Sequence, residues 1–76
     1  MAQDIVFDYR KLRALIFELF GSNKEFAKQL GISEVSMSRK LVGKVAITSD
    51  DIVKWSRLLD IPESKIGLYF FTLKEQ

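Results

Sequence analysis

The 76-residue chain contains neither cysteine nor histidine. Without cysteine there is no disulfide framework and no thiolate metal site, and the chain suits a reducing cytoplasm. Without histidine, the commonest zinc ligand and the commonest general base are both missing. Proline occurs once and glycine four times, which argues against a disordered chain. No apolar run approaches the length that spans a bilayer. The opening MAQDIVFDYR carries acids where a secretion signal would carry bases. There is no glycine-rich phosphate loop, and the adjacent Asp50 and Asp51 read better as a helix start than as an acid–base pair. The chain is therefore not expected to be an enzyme, and nothing in it suggests a metal or an organic cofactor.

What remains is a single all-α domain over residues 1–76. Apolar residues make up 47% of the chain, enough for a packed core at a size near the lower limit for folding without staples. The net charge of +2 is unevenly spread: residues 1–48 hold eight bases and five acids, whereas residues 49–76 hold four and five. The positive excess lies in the first half, as a phosphate-facing surface would require and as ordinary solvated helix faces would also produce.

Helix punctuation is dense. Asp8 is placed to cap a first helix over about 8–20, with Phe7 and Leu12 as a staple and Tyr9, Leu12, Leu15, Ile16, Leu19 and Phe20 as its buried stripe. Gly21 stops it. Ser22 with Glu25 opens a second helix over 23–30, and Ser33 caps a third over 34–42. Thr48 with Asp51 opens a fourth over 49–59, with Ile52, Val53, Trp55, Leu58 and Leu59 inward, until Asp60-Ile61-Pro62 breaks it. Residues 63–71 form a short fifth helix, and 72–76 are expected to fray. Trp55 reads as core. Tyr69, Phe70 and Phe71 either close the base of that core or form a self-association patch.

The segment Ser22–Lys44, SNKEFAKQLGISEVSMSRKLVGK, has helix-turn-helix spacing. Ala27 is small enough for close helix approach, and Gly31 can adopt the positive φ that ends one helix and turns the chain. Phe26, Leu30, Ile32, Met37 and Leu41 point inward, leaving Glu34, Val35, Ser36, Arg39, Lys40 and Val42 outside.

These residues resemble the Cro and phage-repressor (XRE-type) helix-turn-helix family, over roughly residues 8–61. The ending IPESKIGLYFF and the ITSDDI start of helix four are similar to small phage-encoded lysogeny regulators. The resemblance implies a five-helix, lambda-repressor-like fold with the helix-turn-helix at helices two and three, often acting as a dimer. It implies phosphate or supporting contacts from Asn23 or Lys24, base-edge contacts from Glu34, Val35 and Ser36 at the start of helix three, and contacts from Arg39 and Lys44.

Each site residue has a plainer reading beside the functional one. Arg39 can grip guanine or phosphate, or stand solvated. Ser36 can bond a base or remain a surface serine. Ser33, just before helix three, belongs to the same face, chiefly as its cap. Glu34 can accept from cytosine, favour the first helical turn, or face a basic protein surface. Val35 can meet a thymine methyl or a protein. Lys24, Lys28, Lys40 and Lys44 are candidate phosphate contacts, or solvated lysines.

Two functions follow. The first is a sequence-specific regulator of Cro or repressor type, with helix three in the major groove of double-stranded operator DNA, as a possible homodimer in lysis–lysogeny control. The second is a phage modulator or antirepressor that binds a partner repressor protein through the helix-three face. Glu34 would then pair with the partner's bases while Val35 and Val42 bury apolar area.

Overall fold

A computed structural model describes residues 7–74. Among them are five α-helices and no extended strand: α1 (Arg10–Phe20), α2 (Asn23–Leu30), α3 (Glu34–Leu41), α4 (Ser49–Leu58) and α5 (Ile66–Phe70), the last preceded by a 3-10 turn at Glu63–Lys65. None is long and apolar enough to cross a membrane.

Local hydrogen bonds explain why the helices begin where they do. The Ser22 hydroxyl accepts from the Glu25 N–H at 3.1 Å, and the Ser33 hydroxyl accepts from the Ser36 N–H at 3.0 Å. At α4 the exchange is reciprocal: Thr48 Oγ1 accepts from the Asp51 N–H at 3.1 Å, while Asp51 Oδ2 accepts from the Thr48 N–H at 2.9 Å. Each bond satisfies a helix N–H that lacks an intrahelical partner. The end of α4 is less regular. Asp60, not glycine, holds the left-handed conformation at φ 55°, and the Ile61 N–H reaches back to the Ser56 carbonyl at 2.9 Å. That closure turns Ile61 into the core.

The core joins Leu12 and Ile16 of α1, Phe26 and Ala27 of α2, Met37 and Leu41 of α3, Trp55 of α4 with Leu59 just after it, Ile61 and Phe70. Trp55 binds it together. Its ring meets Phe26 edge-on at 5.5 Å and Phe70 at 6.2 Å, while Phe20 rests on Phe26 at 5.0 Å.

Several boundaries and orientations differ from expectation. Helix α1 starts at Arg10 rather than Asp8, because the chain before it pairs with the C-terminal segment. The Asp8 N–H donates to the Thr72 carbonyl at 2.7 Å, and Phe7 and Leu73 form an antiparallel bridge. Asp8 still serves the helix start, since its Oδ1 accepts from the Arg10 N–H at 2.9 Å. Thr72 and Leu73 are accordingly tied down rather than frayed; residues 75–76, also expected to fray, lie outside the described residues. Helix α3 closes at Leu41 and α4 at Leu58, each one residue early. Leu19, Val53 and Leu58, expected inside, are 49%, 48% and 38% exposed. Leu19 shares the face of Leu12 and Ile16 but sits in the last turn of α1. Val53 and Leu58 flank a stripe centred on Trp55, Ser56 and Leu59.

Candidate binding face

Helix α3 is a short rod fixed from three directions. Met37 and Leu41 sink into the core, Ser33 caps its first turn, and Lys40 clamps its last turn to α4. Lys40 was expected to be an outward contact, and the structure corrects this. Its ammonium pairs with the Asp51 carboxylate, and the two side chains are only 17% and 19% exposed. The same carboxylate caps α4, so one acid serves both helices. Burial pushes the Asp51 carboxyl upward, but the hydrogen bonds from Lys40 and Thr48 outweigh it and hold the group below its ordinary value.

The remaining candidates are displayed. Glu34, Val35, Ser36, Arg39 and Lys44 are all exposed. Ser36 also accepts a hydrogen bond at 3.0 Å from the Ser33 hydroxyl, which draws both side chains into the cap. Asn23 is half-exposed and Lys24 exposed at the start of α2; among the described residues no hydrogen bond or ion pair ties either to α3.

Spacing orders the outward residues of α3. Val35, Arg39 and Val42 follow at intervals of four and three, so they form one stripe along the helix. Val35 is 60% and Val42 57% exposed. Gly43, at φ 85°, then turns the chain back. The Arg39 carbonyl accepts from the Lys44 N–H at 2.9 Å and from the Val45 N–H at 3.3 Å. This brings Val45, itself 44% exposed, to the end of the stripe. Val45 escaped the sequence reading; its only signal is an apolar residue in an otherwise unremarkable loop. The face therefore offers three valines around one arginine, with Glu34 beside Val35. Such a surface suits burial against a partly apolar protein better than contact with a phosphate backbone.

The family model described as a protein of unknown function, DUF739, matches residues 5–73. The solution structure of the modulator of repression (MOR) of the temperate bacteriophage TP901-1 from Lactococcus lactis is similar at 37% identity. The match covers 86% of this chain and 88% of that one, with a TM-score of 0.77. The expectation of a Cro- or repressor-type regulator reading operator DNA is thereby overturned: the solved neighbour is a modulator of repression, and α3 carries outward valines and a glutamate while Lys40 is engaged with Asp51. The comparisons support the DUF739 family and a phage modulator of repression, and do not confirm the likeness to the Cro and phage-repressor family. With the match spanning nearly all of its length, the chain belongs to the DUF739 family.

Proposed function

We propose that this chain is a phage-encoded modulator of repression that acts in the bacterial cytoplasm by binding a repressor protein through the outward face of α3. It works as a binding module, without bond chemistry. One observation carries the reading: the Val35–Arg39–Val42 stripe leaves apolar surface exposed on a helix that is otherwise rigidly held. Exposed valines on a fixed rod favour association, because their burial releases water while little side-chain or backbone freedom is lost. Arg39 and Glu34 supply one charge of each sign to set register. Glu34 is suited to the basic residues with which a repressor contacts DNA, so docking there would mask the repressor's DNA-reading surface. The solved modulator of repression, alike over most of its length, supports the same activity here.

The test is calorimetric titration against the repressor from the same locus, with the wild type, Glu34→Lys and Val35→Asp. Both variants should bind at least about tenfold more weakly while keeping the helical circular-dichroism signal. Unchanged affinity in both would remove the reading.

A further inference from the structure

A groove of about 540 Å³ opens where the α3 stripe ends, between the first turns of α1 and the C-terminal segment. Val42 belongs to both surfaces, so groove and stripe are continuous. Phe7, Tyr9 and Val42 give it apolar walls, and Arg10, Arg13 and Lys74 bring three cations. Among the described lining residues, Asp8 is the sole carboxylate. Its two oxygens accept from the Arg10 guanidinium at 2.8 to 3.1 Å. Those bonds, with the nearby charge of Lys74 adding to them, hold Asp8 down to about 2, so it stays ionised and matched to Arg10 at neutral pH. Over the described lining residues the excess charge is therefore positive and comes from Arg13 and Lys74.

The geometry points to this groove as a second subsite for the repressor, receiving an acidic segment that also carries an apolar side chain. The inference rests on the reading of α3 as the repressor-binding face, and it adds the chemistry of what lies beyond Val42. A segment running off the end of the stripe would place its apolar side chain against Phe7 and Tyr9. Its carboxylates would then meet Arg13 and Lys74. Charge complementarity commits the site to an acidic occupant, since a basic one would be repelled by the same pair.

Arg13 and Lys74 are both exposed and lie outside the core, so they can be changed without unfolding the chain. The double variant Arg13→Glu/Lys74→Glu is compared with Lys54→Glu/Lys65→Glu, which makes the same change in net charge on exposed residues elsewhere. Each is titrated against the full-length repressor at several salt concentrations, with Val35→Asp and Glu34→Lys in parallel. The groove variant should bind about tenfold more weakly, with a flatter salt dependence, while the control stays within about twofold. Equal weakening in both double variants would overturn the proposal in favour of net charge alone. An unchanged groove variant beside a defective Val35→Asp would overturn the groove and leave the α3 reading intact. A defective groove variant beside unchanged Val35→Asp and Glu34→Lys would keep the groove as a repressor contact and remove the α3 reading. A change confined to self-association, seen by sedimentation with repressor affinity unaltered, would assign the groove to a second copy of the chain and overturn the proposal.

Discussion

Helices α2 and α3 are built alike on the inside and differently on the outside. Each has eight residues, a serine cap and two buried apolar residues: Phe26 and Ala27 in one, Met37 and Leu41 in the other. Outward, α2 shows Lys24, Glu25, Lys28 and Gln29, all exposed and polar. Helix α3 and its C-cap show Val35 and Val42 around Arg39. Equivalent packing on the core side therefore places no constraint on what the wet side does. Two helices can share a fold role while only one of them presents a surface worth burying.

The largest expected effect would break the likeness of the inner faces. Phe26→Ala should cost about 3–5 kcal/mol and Met37→Ala about 2–5, read from urea midpoints. With a total stability of about 5–15 kcal/mol expected for a domain, either change should unfold a large fraction of the chain at moderate temperature. If Met37→Ala were silent, α3 would not be anchored as described.

Next is the clamp that α3 has and α2 lacks. Asp51→Asn should cost about 1–3 kcal/mol, because it leaves the part-buried Lys40 without its partner. Hydrogen exchange should quicken at the last turn of α3 and stay unchanged through α2. The same pair predicts an acid limb. The Asp51 carboxyl is held below its ordinary value of 3.8 when folded, so the unfolded chain binds its proton first as pH falls. Its stabilisation is complete above that ordinary value and is lost as pH drops through the lower folded one. Thermal melts below about pH 4 should therefore show a smaller decline for Asp51→Asn than for the wild type.

A smaller effect separates stability from binding. Val35→Asp should change stability by no more than about 0.5 kcal/mol, since the residue is exposed and an acid suits a first helical turn. Its repressor affinity should nevertheless fall at least about tenfold, or about 1.4 kcal/mol. Gln29→Asp in the last turn of α2, where an acid opposes the helix dipole, should cost about 0.3–1 kcal/mol of stability and leave repressor affinity unchanged. The smallest effect comes from transplanting the feature: Lys28→Val should shift stability within about 0.5 kcal/mol and create no repressor binding, because one valine lacks the rest of the stripe. Binding gained there would show that exposed apolar area alone, rather than the α3 arrangement, drives association.

Helix starts were legible because their causes are local. Ser22, Ser33 and the Thr48–Asp51 pair bond to amides three residues away, so short stretches of chain carry the information. The inward positions of Met37, Leu41 and Trp55 were legible from helical periodicity. Less legible was the outward face. Val35 and Val42 were visible and Val45 was not, and the helix-turn-helix spacing that suggested operator DNA is a packing pattern, and packing does not specify a ligand.

By itself the chain determined five helices, most of their boundaries and the angular position of each side chain, because capping bonds and helical period act within a few residues. Tertiary structure alone decided how far each stripe is covered. Leu19 and Ile16 share a face of α1, yet one is half exposed and the other wholly buried. It also decided that Lys40 turns to Asp51, eleven residues on, instead of outward. Pairing Phe7 with Leu73 likewise required the two ends of the chain to meet. Such outcomes depend on where separate elements come to lie in space, and no local spacing encodes that distance.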